Sequence, residues 1–446
     1  MKKIKILILA VCVSFTSMAQ ISTLLYNSKH IPQKNVSNPA FFVNSGGYMS
    51  FPSVNLDFSS PLSYNNCFKY SPDEDVLIIQ TESILENLAL QNELNMDLSV
   101  GILGFGFKAK RNFYTFGIQL RNNVSVGLPR DLLSFVVEGN IDENDCGRNL
   151  TLIDEDLLNI SSYVEYAFGF GRQMNDKITL GARAKLLQGV FNANTLETKV
   201  MLNTDPGIRT IGIDMDYLLR VSSPLSYNFD EFEVLTYFPN NWGYALDFGL
   251  NYQISNRISF AASVLDIGQI YWKENVAMIT PTEGSGNITF SGLEWESLFS
   301  EEGQFNENFF SNLGDSLLNE MSQYDIDTIS QNPYWETLPW KVNVSVNYDL
   351  NKVLGFSLMY RGEKRKFDFY NSVTAGVNIN LWDWLEIMAC NTINDLENGD
   401  LINPGAGFSM SLFKVLQLYT LVDYTDAEYL VDGKSFRFLF GLNLVF

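Results

Sequence analysis

The residue types that catalyse most reactions are scarce in this chain, and their spacing does not complete a catalytic set. Residues 314–317, Gly-Asp-Ser-Leu, have the form of a hydrolase nucleophile block, but a serine nucleophile needs a histidine base to accept its proton. The one histidine is His30, far upstream, and no Asp-x-x-His follows the serine. We therefore predict that the protein is not an enzyme and that this serine lies in an amphipathic helix.

Metal and cofactor sites are not predicted either. One His and four widely separated Cys give none of the spacings of zinc sites. The acidic runs at 142–145 and 325–327 lack the glycine and the terminal glutamate of an EF-hand loop, so they are interpreted as solvated loop charge, with weak Ca²⁺ or Mg²⁺ binding as the alternative. Cys67 and Cys146 either form a disulfide or stay as thiols. We expect no bound metal and no cofactor.

The charge balance limits the partners. The 446 residues contain 51 Asp and Glu against 30 Lys and Arg, a formal net charge of −21. Nucleic acid is not an expected partner, because phosphate binding needs a basic face. At 46% hydrophobic and 14% aromatic residues, the chain is too apolar to be disordered. Its aromatic rings fit either a packed core or a membrane interface.

The first twenty residues have the features of a secretory signal. Three lysines within residues 2–5 precede an apolar run over residues 6–13, and small residues end at Ala19. We expect cleavage after Ala19, so residues 1–19 form a signal peptide and the mature chain is exported. The alternative is a lipoprotein signal at Cys12, but Val11 is bulky for the position before such a cysteine.

The dominant pattern of the mature chain is that of β-strands. In residues 341–350, Val, Tyr and Leu alternate without a break with Lys, Asn, Ser and Asp, which places the apolar residues on one face. Residues 177–186, 244–253 and 372–381 alternate in the same way. No later segment holds about 18 consecutive apolar residues, so we expect a membrane to be crossed by strands only.

The connections between these strands are of two kinds. Four-residue turns such as 174–177 and 254–257 join some pairs, whereas long acidic segments join others. Short turns at one rim and long loops at the other are typical of outer-membrane barrels. We predict an all-β fold, a transmembrane antiparallel barrel over residues 46–446. It has fourteen strands if residues 195–221 stand outside the membrane, and sixteen if they cross it.

Two segments add detail to this barrel. Residues 292–338 contain ten acidic and no basic residues, and apolar residues from Phe309 to Met321 recur at helical spacing, which predicts a partly helical insert. Residues 435–446 alternate large apolar side chains and stop on the aromatic Phe446. We expect Phe446 to be the assembly signal that the barrel-assembly machinery reads.

The polar faces of the predicted strands would line the bore. They carry charges of both signs, which suits a water-filled pore or a bore closed by a hydrogen-bonded plug. The candidate lumen-lining residues are Glu165, Lys177, Arg183, Lys185, Asp247, Lys341, Asp349 and Arg437.

Several short motifs, taken in their order, carry a family resemblance. They are Asn38-Pro39-Ala40-Phe41 before the first strand, residues 264–268 followed by Trp272, residues 338–342, and residues 441–446. The chain resembles a family of bacteroidete outer-membrane barrels of unknown function, which is similar in layout to FadL-like and PorV-like barrels. The resemblance implies the outer membrane of a Gram-negative bacterium. It also implies that residues 20–45, with Asn38, Pro39, Ala40 and Phe41, lead an N-terminal plug into the lumen.

The resemblance implies two alternative functions. FadL-like proteins take up hydrophobic molecules, which predicts passage of small molecules, hydrophobic ones included, across the outer membrane. PorV-like proteins shuttle or anchor secreted proteins, so the alternative is a non-transporting barrel that binds protein partners of a secretion or surface machinery. The expected partners are outer-membrane lipid, the barrel-assembly machinery and a protein bound through the acidic loops.

Overall fold

The computed structural model describes most of the mature chain. The described residues are 21–42, 46–71, 76–89, 92–138, 149–154, 156–205, 210–223, 239–281, 287–290, 326–330, 332–366, 369–382, 384–394, 404–413, 415–424 and 434–446. The predicted signal peptide at 1–19, Cys146 as a partner for Cys67, and the predicted helix at 309–321 lie outside these residues.

Strands dominate the described residues, and the helices are short. The helices are α1 Ile21–Asn27, α2 Lys34–Ser37, α3 Tyr64–Cys67, α4 Thr81–Asn87 and α5 Arg130–Glu138. The strands are β1 Gly47–Ser50, β2 Ser53–Ser59, β3 Phe68–Ser71, β4 Val76–Ile79, β5 Glu93–Ala109, β6 Asn112–Gly127, β7 Asn149–Asp154, β8 Leu158–Gln173, β9 Ile178–Asp205, β10 Thr210–Ser222, β11 Asn241–Gln253, β12 Ile258–Trp272, β13 Val276–Pro281, β14 Asn287–Phe290, β15 Ile326–Ser330, β16 Tyr334–Thr337, β17 Lys341–Asp349, β18 Leu354–Lys364, β19 Phe369–Trp382, β20 Leu385–Asn394, β21 Pro404–Leu412, β22 Leu416–Tyr424 and β23 Ser435–Val445. No helix among them is long and apolar enough to cross a membrane.

Antiparallel pairing closes fourteen of these elements into a barrel. β1 and β2 form one interrupted first strand, because both pair with β5 on one side and with β23 on the other. The wall continues through β6, β8, β9, β11, β12, β17, β18, β19, β20, β21 and β22 back to β23. The predicted barrel of fourteen strands is confirmed.

The alternative count of sixteen is wrong, and β9 shows why. A count of sixteen needs residues 195–221 to cross the membrane as separate strands, but β9 runs unbroken for 28 residues and includes the first part of that range. Asn192 and Asn194, which resemble turn residues, donate hydrogen bonds to the Glu336 carboxylate from within the strand. The far part of β9 lies outside the barrel wall, since it pairs with β7 and β10 in an outer sheet that also includes β13, β14 and β15.

Burial is inverted relative to a soluble protein. Large apolar side chains face outwards, such as Phe168 and Leu358 at 58% and 55% exposed, while charged side chains such as Asp247 are buried on the inner face. Tyr244, Tyr271 and Trp335 cluster near the long loops, and Trp382 stacks on Trp384 at a short turn, with ring centroids 5.2 Å apart. An apolar exterior between two aromatic bands and a polar interior identify a transmembrane barrel.

Candidate functional site: the barrel interior

A layer of buried ion pairs, which we call the belt, crosses the inside of the barrel. At its centre, Lys185 Nζ lies 2.9 Å from Asp247, 2.5 Å from Asp266 and 3.7 Å from Glu165. Arg121 joins Glu165 at 3.4 Å and Asp266 at 3.8 Å. These side chains are at most about a tenth exposed. Because a buried charge is costly unless it is paired, each group depends on its neighbours.

The belt continues across the lumen without a break in its contacts. Arg121 reaches Asp97 at 3.6 Å, and Asp97 in turn binds Lys341 at 3.0 Å. Lys341 also binds Glu363 at 3.2 Å. Six acidic and six basic side chains take part, so their formal charges balance. They are Asp57, Asp97, Glu165, Asp247, Asp266 and Glu363 with Arg121, Arg183, Lys185, Lys341, Arg361 and Arg437.

Half of the belt was named from the sequence, and half was missed. Asp57, Asp97 and Arg121 lie on polar faces that alternate with apolar residues, so the same pattern could have found them. Asp266 had no such signal, because it sits in a bulge with a left-handed backbone, φ 61°. The backbone N–H of Asp266 donates to Asp247 Oδ1 at 2.8 Å, and the other oxygen of the Asp247 carboxylate faces Lys185. Among the described residues, no group of three or more His, Cys, Asp or Glu could hold a metal ion.

Residues 21–42, which we call the N-terminal segment, lie inside the barrel. Leu24, Leu25 and Ile31 pack on Met388 and Tyr419 of the inner wall. Polar contacts to the same two strands add to this packing. The Glu386 carboxylate accepts from Ser28 and from the backbone of Lys29 and His30, and Gln417 donates to the His30 carbonyl. The first part of the segment is therefore held against β20 and β22, on one side of the barrel.

The Asn38-Pro39-Ala40-Phe41 motif is the most tightly fitted part of the segment. Asn38 is fully buried, and its amide nitrogen lies 3.2 Å from the carbonyl oxygens of Leu250 and Ala262. Its Oδ1 accepts from the Ala40 backbone N–H at 2.9 Å. Phe41 packs edge-on against Tyr26 of α1. The motif thus ties the segment to β11 and β12 through backbone atoms that no side-chain change in those strands would remove.

Glycines of three strands make room for this motif. A Cβ built at Gly181 would overlap the Pro39 carbonyl, one at Gly249 would overlap Asn38 Oδ1, and one at Gly171 would meet the Phe42 ring. We call these three glycines the glycine seat. The sequence did not predict it, because a glycine within a strand can mark the close approach of another backbone, but the sequence does not show which backbone approaches.

The other residues named from the sequence are placed as follows. Arg183 is 3.6 Å from Asp247 and also donates to the carbonyl oxygens of Asn35 and Val36, so it links the belt to the N-terminal segment. Asp349 binds Lys29 Nζ at 2.6 Å near the short turns. Lys177 is exposed in the turn before β9 and is not brought into the belt. Phe446 is 69% exposed, and its backbone exchanges hydrogen bonds with Gly47.

Gly181→Ala is expected to loosen the N-terminal segment while leaving the barrel intact, because the new methyl group overlaps backbone atoms of Pro39 that cannot rotate away. Trypsin should then cleave at Lys29 or Lys34 faster than in the unaltered protein. The matched control is Gly117→Ala, whose methyl group meets nothing nearer than 3.9 Å. Equal protection of both variants, with normal heat-modifiable migration, would contradict the glycine seat.

Two cavities flank the belt. The outer cavity, about 380 Å³, opens on the long-loop side and is lined by apolar Ile270, Trp272, Leu338 and Trp340 as well as by polar and charged groups. The inner cavity, about 150 Å³, lies between the belt and the N-terminal segment and reaches Leu25 of α1. Asp57 and Asp97 line both cavities, so these two carboxylates stand where the cavities meet.

The family of unknown function DUF5723 matches residues 39–423, which is most of the chain and includes the whole belt except Arg437. The chain belongs to this family. The resemblance to a barrel family of unknown function is thereby confirmed. No curated protein matches this DUF5723 barrel.

Several solved structures are similar to the DUF5723 barrel at low sequence identity. The Ralstonia pickettii toluene transporter TbuX is 10% identical with a TM-score of 0.48, over 93% of this chain and 94% of that one. The Pseudomonas putida toluene transporter TodX is 10% identical with a TM-score of 0.42, over 96% and 94% of the two chains. A Pseudomonas aeruginosa FadL homologue is 8% identical with a TM-score of 0.42, over 96% and 98%.

Proposed function

We propose that this barrel lies in the outer membrane of a Gram-negative bacterium and passes small molecules with apolar parts across it. The observation that carries the proposal is the outer cavity. This cavity has a volume of about 380 Å³, and its wall combines Trp272, Ile270 and Leu338 with polar groups. A barrel with only a structural role would not require such a cavity. Seven of the twenty lining residues are apolar and thirteen are polar or charged, so the cavity suits a solute that has both apolar and hydrogen-bonding parts.

The proposed route continues from the outer cavity past Asp57 and Asp97 into the inner cavity. The N-terminal segment closes the inner cavity from below and acts as a plug. A solute crosses when the segment moves, and the wall need not open, because the hydrogen bonds of a closed barrel are made between its strands. The protein performs no covalent chemistry in this scheme.

Removal of the plug tests the route. In planar bilayers, the full mature chain should be closed to ions, and a chain lacking residues 21–42 should conduct. Adding Ser161→Trp to the shortened chain should reduce that conductance, since Ser161 faces the outer cavity. The matched control is Val164→Trp, which faces outwards on the same strand.

The alternative function, anchoring of protein partners, makes the opposite prediction. A shortened chain that assembles normally but stays closed would contradict the proposed passage. Recovery of a stoichiometric protein partner from native membranes by the full chain would then favour the anchor. A protein partner bound through the acidic loops would be lost when residues 297–333 are replaced by a short Gly/Ser bridge.

A further inference from the structure

A row of polar atoms without protein partners runs along the inner wall beside the N-terminal segment. On β17 the inward-facing Asn343, Ser345 and Asn347 each have a buried side-chain oxygen with no hydrogen-bond partner among the described residues. Ser357 Oγ, on the neighbouring strand β18, is also buried and without a hydrogen-bond partner among the described residues. Ser357 is the cross-strand neighbour of Asn347. Four such oxygens therefore lie side by side on one face of two strands.

The row continues to the short-turn rim. Both side-chain amide atoms of Asn380 on β19 and of Asn27 in α1 are buried and have no partner among the described residues. Asn378, which is two residues from Asn380, donates to the Asn27 carbonyl, so the two amides lie near each other. The Asn380 backbone N–H donates to the Val353 carbonyl in the short turn between β17 and β18. The row thus has a lower end beside this turn.

The upper end of the row opens into the inner cavity, because Asn343 lines that cavity. From Asn343 to Asn347 the strand rises by about 14 Å at roughly 3.4 Å per residue. The N-terminal segment covers the middle of this distance. Tyr26 and Phe41 pack on Ala261 and Met359, which are the two cross-strand neighbours of Ser345.

A buried polar atom without a partner is destabilising by about 1–3 kcal/mol, and more than nine in ten such atoms in proteins are satisfied. Several in a single row indicate that a mobile hydrogen-bonding species satisfies them. The unpartnered atoms of the row belong to amides and hydroxyls, and the charged groups at its lower end, Lys29 and Asp349, are paired with each other at 2.6 Å. The row therefore offers no unpaired charge that would compensate an ion for the loss of its hydration. Water and small uncharged solutes match these requirements, and the inner cavity is large enough to supply several waters.

We propose that this row is a hydrated track that passes water and small uncharged hydrogen-bonding solutes between the inner cavity and the short-turn rim while the N-terminal segment is seated. The track differs from the proposed route of passage, which requires the segment to move. The seated protein is then closed to ions and open to water. Ser345 lies midway along the track, where Tyr26 and Phe41 cover its cross-strand neighbours.

Water permeability of the full mature chain tests the track. Proteoliposomes are exposed to an osmotic step and followed by stopped-flow light scattering, with water and then urea as the permeating solute. The unaltered protein should raise both permeabilities well above those of protein-free liposomes. Ser345→Val combined with Asn347→Leu should lower both several-fold, because apolar groups then replace the oxygens in the middle of the track. Permeabilities equal to those of protein-free liposomes would overturn the track.

The matched control is Thr392→Val, a buried change on the same inner wall that lies off the row and whose hydroxyl is bonded to Thr374. It should leave water permeability unchanged, and a loss equal to that of the double variant would overturn the assignment to this row.

A second variant keeps the proposal testable if the double variant does not assemble. Asn347→Cys, in a chain whose own cysteines are replaced by Ser or Ala, should react with a small uncharged thiol reagent added to the folded protein in liposomes. Full protection of this cysteine, while the denatured protein reacts, would show a dry interface and overturn the track. These measurements use the full chain, whereas the test of the proposed passage uses the chain without residues 21–42. Each hypothesis can therefore be contradicted without affecting the other.

Discussion

Lys185→Met should destabilise the assembled barrel by about 3–5 kcal/mol, the usual effect of removing one partner from a buried ion pair. The ammonium group is the shared partner of Asp247, Asp266 and Glu165, and each of these carboxylates is at least nine-tenths buried. Methionine has a similar shape, so the loss reports the missing charge and not a cavity. The measurement is the free energy of unfolding in guanidinium chloride, with the protein in lipid vesicles and tryptophan fluorescence as the signal.

Lys177→Met is the matched control for this experiment. The same substitution is made in the turn before the same strand, where the lysine is exposed, so a change within about 0.5 kcal/mol is expected. If Lys185→Met were no more destabilising than Lys177→Met, the carboxylates of the belt would have to be satisfied in another way, and the belt would lose its structural role.

Leu358→Arg should impair assembly by about 2–4 kcal/mol, because a cation on the lipid face near the membrane midplane has no aqueous partner. Leu358 lies near the centre of β18 and is 55% exposed on the outer face. The yield of heat-modifiable barrel after refolding into vesicles gives the readout. Leu358→Phe should assemble normally, because it keeps an apolar group in contact with lipid.

The outcome for Leu358 also depends on register. A slip of one residue would turn every side chain of β18 to the other face. Normal assembly of the arginine variant would therefore mean that residue 358 does not face lipid, and the register of β18 with β17 and β19 would be wrong.

The sequence predicted the barrel well because its signal is local. In residues 341–350 each second residue is apolar, and this alternation follows directly from the geometry of a strand that faces lipid on one side and polar groups on the other. The outer part of β9 was harder to predict. Asn192 and Asn194, which resemble turn residues, extend the strand and donate to Glu336, which is more than 140 residues away in the sequence.

The interior could be predicted only in part. The alternation of β23 places Asn443 in the lumen, but its neighbours there, Gln33 and Gln417, come from the N-terminal segment and from β22. Likewise, the fit of Pro39 on Gly181 joins two stretches whose sequences carry no common pattern. Contacts of this kind depend on how the barrel closes, which the pattern of single strands does not contain.

The pairing of β23 with β1 and β2 has a consequence for how the chain folds. Gly47 and Phe446 exchange backbone hydrogen bonds at 2.7 and 3.0 Å across a sequence separation of almost the whole chain. Contacts between residues so far apart slow folding, since the intervening chain must be ordered before they can form. Until β23 arrives, the edges of β1 and β22 are open and invite pairing with other chains. The barrel must therefore be protected from aggregation until its last strand is in place, with the N-terminal segment already enclosed or entering as the edges meet.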